Sequence, residues 1–212
     1  MKMKNKHKQI GRGIYPDFNN VIITETKGVS PVGNDTKVIA LNAARLKPKL
    51  AIDMGSGTGF IPIFLKKRGI NCDGADINPA AIENARKNAK RNKLKINFYQ
   101  SDLFSNVRKK YDLIMFNPPY GSTKSAASNK LLEIIKSFIP KGTIITKLAY
   151  PFISRGRKKL IERFFQEARG HLTKKGGIII LLDNLEIGLL KNKRYRTLDT
   201  YGKGKLVLLN RS

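Results

Sequence analysis

The stretch Ala51–Gly59, which reads AIDMGSGTG, constrains the fold of this chain more than any other. A short apolar run ends there at Asp53, three glycines then alternate with small residues, and apolar residues resume at Phe60. This order predicts a buried strand, a tight turn and a helix. Glycine permits a sharp turn and lets a ligand approach the backbone closely. The three glycines are Gly55, Gly57 and Gly59.

The spacing of the glycines argues against a dinucleotide ligand. That fingerprint is G-x-G-x-x-G, whereas here the third glycine comes one residue early and Phe60 takes the last position. A carboxylate at Asp53 would repel a pyrophosphate, but it suits an amine or a cation. The run D-x-G-x-G-x-G resembles motif I of class I S-adenosylmethionine (SAM) methyltransferases, and the resemblance implies SAM as the cofactor. A glycine-rich loop without a ligand is the alternative for this stretch taken alone.

Four consecutive predicted strands end at polar residues. The alternation of strands with helices predicts a parallel, doubly wound sheet, and ligands of such sheets bind beyond the carboxyl ends of the strands. Asp76 follows Asp53 at the separation expected for an acid that binds ribose hydroxyls. For Asp102, the resemblance implies contact with the adenine amino group, and an ordinary turn aspartate is the alternative. The residues at the strand ends are Asp53, Asp76, Asp102 and Asn117.

The whole pattern predicts a Rossmann-like α/β fold, with a mostly parallel sheet and a C-terminal antiparallel hairpin over residues 194–210. Residues 1–13 are basic and have little to bury, so we expect a disordered tail before a single domain over residues 14–212. A lysine-bearing segment near residues 121–151 interrupts the alternation, and we expect a basic insertion there, beside the acceptor pocket. Predicted strands cover residues 21–24, 50–53, 71–76, 96–100, 112–116, 143–146 and 178–182, and predicted helices cover residues 38–46, 60–68, 80–92, 129–138 and 157–166.

The sequence Asn117-Pro118-Pro119-Tyr120 suits methylation of an amide or an exocyclic amine. The lone pair of such a nitrogen is delocalised, so the site must hold its N–H groups and aim the nitrogen at the methyl group. The Asn117 side-chain oxygen and the Pro118 carbonyl can each accept one N–H. Two prolines stiffen the loop, and the Tyr120 ring offers a stacking face. No metal or covalent intermediate is needed, and a rigid turn is the alternative interpretation.

With both motifs, the chain resembles the class I methyltransferases that modify planar nitrogens, and most of all the HemK-like release factor glutamine methyltransferases. That family carries NPPY and an upstream loop of the form Y-x-P-x-E-D-T/S. Residues 29–36 keep Pro31, Asp35 and Thr36 of the loop, but have Val29 and Asn34 at the aromatic and first acidic positions. The resemblance implies transfer of a methyl group to a glutamine N5 in translation termination, with Asn117 next to both the cofactor and the acceptor.

The charge of the chain points to polyanions. Lys and Arg number 42 against 15 Asp and Glu, for a net charge of +27. Such an excess attracts RNA or the ribosome in a salt-dependent manner, although a lysine-rich composition without a bound polyanion gives the same number. Cys72 is the single cysteine, which excludes an internal disulfide and fits a reducing compartment. No apolar run approaches 18 residues and the N-terminus lacks a signal-peptide core, so we expect a cytoplasmic protein without membrane contact.

Two other functions remain open at this stage. One is an rRNA or DNA methyltransferase that acts on adenine N6 or guanine N2, which the charge favours and the combination of Asn117 with Tyr120 disfavours. The other is a SAM-binding or RNA-binding scaffold without activity, which would not need an acceptor pair at the methyl group. We expect partners to be a release factor or RNA. We also expect a monomer or a complex with a small activator protein.

Overall fold

The computed structural model describes residues 9–119, 144–191, 193–201 and 204–210. The chain divides into two compact units, one made of Met1–Asn117 with Glu167–Ser212 and the other of Pro118–Gln166. Within these ranges the strands are β1 (Gln9–Tyr15), β2 (Val21–Thr26), β3 (Leu50–Met54), β4 (Asn71–Asp76), β5 (Phe98–Gln100), β6 (Tyr111–Phe116), β7 (Leu172–Asp183), β8 (Tyr195–Tyr201) and β9 (Gly204–Asn210). The α-helices of the described residues are α1 (Asn34–Leu46), α2 (Phe60–Lys67), α3 (Pro79–Arg91) and α4 (Ile144–Ala168).

The first unit contains a seven-stranded sheet with the order β5-β4-β3-β6-β7-β9-β8. The pairs from β5 to β7 are parallel, whereas β9 and β8 add at one edge in antiparallel orientation. This confirms the predicted Rossmann-like fold with a C-terminal hairpin. From β3 the chain proceeds to β4 and β5 on one side and returns to β6 on the other. A switch point therefore lies between β3 and β6, where α/β sheets bind their ligands.

One face of this sheet packs against α1, α2 and α3. Alternate strand residues point to the same face, and such pairs as Leu113 with Met115 and Ile179 with Leu181 join the buried cluster that contains the helices. α3 begins sharply because Pro79 occupies its first turn and the Asn78 side chain accepts the Ala80 N–H. The fixed N-terminus of α3 sets the direction of the chain directly after the end of β4.

The N-terminal strands form a separate ribbon in which β1 pairs antiparallel with β2. The predicted disordered tail is therefore wrong for Gln9–Gly13, because these residues lie in β1. Backbone hydrogen bonds hold this basic segment against β2, and the Tyr15 ring at the end of β1 makes an edge contact with the Phe60 ring. Residues 1–8 lie outside the described part of the chain.

An asparagine ladder on α3 bonds to the backbone of β2. Asn92 exchanges two hydrogen bonds with Ile22, and Asn88 accepts the Thr24 N–H at 2.9 Å. The Asn88 amide also donates to the Thr58 carbonyl at 3.0 Å. The ladder thus joins the ribbon to the glycine turn as well as to α3.

In the second unit, α4 is the described element. The predicted strand at residues 143–146 is wrong for residues 144–146, because Ile144–Ala168 forms one helix that also contains the predicted helix at 157–166. The β-branched run at 144–146 favours a strand locally, but the residues that follow it favour a helix and the longer element prevails. The predicted helix at 129–138 lies outside the described residues, as does most of the predicted insertion. The predicted domain division stays a prediction. Among the described residues, no helix combines the length and apolarity required to cross a membrane.

Candidate active site

The structure places the four predicted strand-end residues along one edge of the sheet. β5, β4, β3 and β6 are adjacent and parallel, so their carboxyl ends present Asp102, Asp76, Asp53 and Asn117 in that spatial order. Asp53 lies in β3 and Asn117 directly follows β6, and these two strands flank the switch point. Residues from four separate stretches of sequence therefore follow adjacent strand ends, where α/β sheets bind their ligands.

The glycine turn is bound to the end of β4. The Gly55 and Ser56 N–H groups both donate to the Ala75 carbonyl, at 2.8 and 2.9 Å. The Gly57 N–H donates to Asp76 Oδ2 at 3.0 Å. The backbone of the turn requires glycine, since Gly55 and Gly57 have φ angles of 71° and 52°. These bonds hold the turn in one position relative to the Asp76 carboxylate.

The glycines of the turn serve two different purposes. A Cβ on Gly57 would meet only the Ser30 carbonyl, at 3.8 Å, so its backbone is open to a ligand. A Cβ on Gly59 would instead lie 2.9 Å from the Cβ of Ala85 and 3.1 Å from the Phe98 ring. Gly59 therefore permits close packing of the turn on α3 and β5. The sequence motif alone suggests ligand approach for all three glycines, and packing explains the last of them.

Burial raises the pKa values of the two central carboxylates. The pKa of Asp53 lies well above its ordinary value, mainly because of desolvation and also because of the neighbouring negative charge of Asp76. Burial also raises the pKa of Asp76, while the N–H groups of Asn78, Gly57 and Ile77 oppose that shift. A cationic group of a ligand would relieve the repulsion at Asp53. Asp102 is exposed in the turn after β5, where its carbonyl accepts the Ser105 N–H.

Asn117 has one half of its side-chain amide bound and the other half unpaired. Its Nδ2 donates to Asp35 Oδ2 at 2.7 Å. Its Oδ1 is buried and has no hydrogen-bond partner within the described part of the chain. A buried unpaired acceptor is costly, and the bond to the carboxylate fixes which atom of the amide remains free. Asn117 therefore keeps one acceptor atom that an N–H donor of a ligand could use.

The sequence singles out Asp35 as a residue of the upstream loop, but sequence reasoning missed the contact of Asp35 with Asn117. The sequence suggests Asp35 or Thr36 as a helix cap, but α1 begins at Asn34 with Gly33 as its N-cap. The Asp35 carboxylate instead accepts the Thr36 N–H at 2.8 Å and holds Asn117. A Cβ on Gly33 would collide with this carboxylate. The signal in the sequence is the glycine two residues before Asp35, which leaves room for this carboxylate.

The rest of the predicted acceptor motif belongs to the second unit. Pro118 is buried, and its carbonyl accepts a hydrogen bond from the guanidinium of the buried Arg157. Pro119 is exposed. Tyr120 lies outside the described residues, so its stacking role stays a prediction. Arg157 holds the carbonyl that the sequence identifies as the second acceptor, and one of the two lone pairs of that carbonyl remains available.

The chain matches the family model described as methyltransferase small domain over residues 32–142. The matched residues include the glycine turn and all four strand-end residues. The chain belongs to the methyltransferase small domain family. It is therefore a SAM-dependent methyltransferase, and its HemK-like character is supported by two relatives whose names refer to glutamine methylation.

Three relatives show the range of substrates named for similar methyltransferases. A Methanocaldococcus jannaschii protein, provisionally named a protein N5-glutamine methyltransferase, is 36% identical over 151 residues, which cover 71% of this chain and 69% of the relative. The release factor glutamine methyltransferase of Streptococcus pneumoniae is 30% identical over 175 residues, covering 75% and 58%. The ribosomal RNA small subunit methyltransferase C of Haemophilus influenzae is 38% identical over 93 residues, covering 43% and 28%. This chain thus spans less than two thirds of the latter two.

A solved structure agrees with the fold of this methyltransferase. A 16S rRNA N2 methyltransferase of T. thermophilus, in complex with AdoMet and guanosine, has a TM-score of 0.65 at 15% identity. The match covers 100% of this chain and 52% of that one. The residues at the strand ends fit SAM: an open glycine backbone, the buried carboxylate of Asp53, the half-buried carboxylate of Asp76 and an unpaired acceptor can receive a ligand that carries an amine, ribose hydroxyls and a methyl sulfonium.

Proposed function

We propose that this methyltransferase modifies the side-chain amide nitrogen of a glutamine, and that the glutamine belongs to a translation release factor. The observation that carries the proposal is the unpaired, buried Oδ1 of Asn117, which Asp35 holds in place. A primary carboxamide is flat and offers two N–H donors to such an acceptor. The names of the M. jannaschii and S. pneumoniae relatives support glutamine as the acceptor.

In this proposal each strand-end residue binds a different part of SAM. Asp53 meets the amino-acid end, because its desolvated carboxylate favours a nearby cation. Asp76 meets the ribose with the oxygen lone pairs that the Gly57 and Asn78 N–H groups leave free. The exposed Asp102 meets the edge of the adenine. Gly55 and Gly57 allow the ligand to approach the turn, while Gly59 supports the turn from behind.

The chemistry at the acceptor follows from positioning. SAM supplies an activated methyl group when it is bound. Asn117 Oδ1 accepts one N–H of the amide, and the Pro118 carbonyl accepts the other. With both hydrogens held, the nitrogen lone pair is aligned along one axis perpendicular to the amide plane. The methyl group would replace one of the two hydrogens, which would leave as a proton after the N–C bond has formed. Asp35 is a positioning residue, since it acts only through Asn117. Tyr120 would support the flat amide from one side.

The test is to locate the methyl group. The protein is incubated with isotopically labelled SAM and, in separate reactions, with a purified release factor and with ribosomal RNA. Mass spectrometry of peptides and nucleosides then identifies the labelled atom. We expect label on one glutamine of the release factor and none with an Asn117→Ala variant. Label on a nucleoside alone would contradict the proposal.

The second candidate acceptor is an exocyclic amine of an RNA base. It presents two N–H donors in a plane as a carboxamide does, so Asn117 could hold it equally well. The net charge of +27 and the rRNA methyltransferase among the relatives favour this candidate. The same labelling experiment separates the two, because the products differ in chemical class.

A further inference from the structure

A basic groove lies along α3 and the edge strand β5, within the first unit. Two neighbouring cavities form it, with volumes of about 480 and 640 Å³. Arg86 and Lys90 line both cavities, so the two are continuous. We call this feature the α3 groove and define it by its five exposed cationic residues. They are Arg86, Lys87, Lys90, Lys93 and Lys95.

The lining of the α3 groove is strongly unbalanced in charge. Glu83 is the one acid among the lining residues of the two cavities. Its Oε1 lies 2.6 Å from Lys87 Nζ, so this acid is already paired with one of the five cations. The remaining lining residues are neutral or cationic. A ligand that fits the groove must therefore carry several negative charges.

The cations converge from two parts of the chain. Arg86 and Lys90 are four residues apart and share one face of α3. Lys93 and Lys95 come from the connection to β5, where Lys93 has a φ of 58° that turns the chain back along the helix. Arg86 is held in place because its Nη2 donates to the Phe98 carbonyl at 2.7 Å. The lining is thus partly preorganised, and a helix of this length extends for about 20 Å.

The α3 groove begins beside the candidate active site. Pro79 and Gln100 line its first cavity. Pro79 lies three residues after Asp76, and Gln100 lies two residues before Asp102. Asn97, which directly precedes β5, lines the far end. A linear polymer bound along the groove would therefore run from the carboxyl ends of the strands towards their amino ends.

We propose that the α3 groove binds the phosphate backbone of RNA. Several cations in one concave strip attract phosphates and release counterions, and a net charge of +27 strengthens the attraction. No aromatic side chain is among the lining residues, so bases find no stacking surface there. Binding is therefore independent of base sequence. The inference does not depend on the acceptor, because the groove does not include Asn117.

The test compares two triple variants of the full chain that remove the same charge. Lys87→Gln, Lys90→Gln and Lys95→Gln remove three of the five cations of the groove. Lys49→Gln, Lys174→Gln and Lys175→Gln neutralise exposed lysines elsewhere. Affinity for unstructured RNA oligonucleotides of unrelated sequence is measured by fluorescence anisotropy over a series of KCl concentrations. Calorimetric binding of SAM by each variant verifies that the fold is intact.

We expect the groove variant to bind RNA at least about tenfold more weakly, equally for every sequence. We expect its slope of log K against log salt to shrink by about 2, as three lost phosphate contacts predict for a single strand. The control variant should change far less. An equal loss in both variants, or no RNA binding by the wild-type protein, would overturn the proposal. So would equally tight binding of a polyglutamate peptide, because the groove would then suit an acidic protein.

Discussion

Two polar clusters on neighbouring strands of one sheet differ in how far their hydrogen bonds are satisfied. At the carboxyl ends, Asn117 Oδ1 is buried without a partner in the described chain, and Asp53 has a raised pKa beside another acid. In the amino-terminal half of β4, buried Asp73 accepts four donors. They are Asn97 Nδ2 at 2.9 Å, Lys109 Nζ at 2.9 Å, Tyr111 OH at 3.0 Å and Tyr99 OH at 3.3 Å.

The difference separates stability from function. Asp73 and Asp76 lie three residues apart on β4 and therefore face opposite sides of the sheet. A saturated buried network stabilises the fold, whereas an incomplete one persists where a ligand completes it. The network around Asp73 also raises the pKa of Tyr111, through burial first and then the negative charge of Asp73. The comparison predicts that substitutions at the two clusters affect different measurements.

The largest expected effect is on catalysis at the carboxyl ends. Asn117→Ala removes the acceptor that positions the amide nitrogen, so we expect kcat to fall by about 10²-fold or more. The affinity for SAM and the free energy of unfolding should change little. Steady-state kinetics, calorimetry and denaturant unfolding on the same preparations provide these quantities. A variant that retains its kcat would place the chemistry elsewhere.

The next effect is on stability at the other cluster. Asp73→Ala leaves the buried Tyr111 hydroxyl without its acceptor and also removes the bonds from Asn97, Tyr99 and Lys109, so we expect the free energy of unfolding to fall by about 2–4 kcal/mol. Urea unfolding measures the change, with Asp17→Ala as a control at an exposed acid. The kcat of the remaining folded enzyme should stay within about twofold, because Asp73 belongs to the saturated cluster. A large loss of kcat without a loss of stability would contradict the assignment of Asp73 to the stabilising cluster.

A smaller effect distinguishes Asp35 as a positioning residue. Asp35→Ala frees the Asn117 amide to rotate, so we expect kcat to fall by about 10- to 100-fold with little change in SAM affinity. Asp35→Asn keeps an oxygen that can accept the Asn117 Nδ2, so it should recover most of that loss. The ratio of kcat to KM for the two variants is the readout. Equal activity of the alanine and asparagine variants would show that the hydrogen bond does not matter.

The smallest effect is a pH dependence that arises at Asp53. Its pKa is higher in the folded than in the unfolded protein, so the folded state binds more protons at pH values above the ordinary value of 3.8. The free energy of unfolding should therefore fall as pH rises through that range, and the Asp53→Asn variant should flatten the slope. The SAM affinity should change in the opposite sense, because the ionised carboxylate attracts the ammonium group. Calorimetry at several pH values tests both, with Asp17→Asn as the control.

The sequence predicts the strand ends well because a parallel sheet brings the carboxyl ends of its strands to one edge. Asp53, Asp76 and Asn117 can therefore be identified from the local pattern of apolar runs and polar ends alone. The bond between Asp35 and Asn117 joins positions 82 residues apart, and no local pattern specifies it. Asp73 is an ordinary strand residue in the sequence, because its donors come from separate segments. At residues 143–146 local propensity predicts a strand, and the longer helix overrides it.

The most direct test of the SAM site at the carboxyl ends of the strands is to map the changes in backbone amide chemical shifts upon addition of SAM. Two-dimensional NMR of the labelled protein compares the two clusters in one titration. We expect the largest shifts at Gly55–Gly57, at the residues that follow Asp76 and at Asn117, with small shifts at Asp73 and Tyr111. Shifts centred on Asp73 and Tyr111, with the glycine turn unchanged, would contradict the assignment of the carboxyl ends as the SAM site.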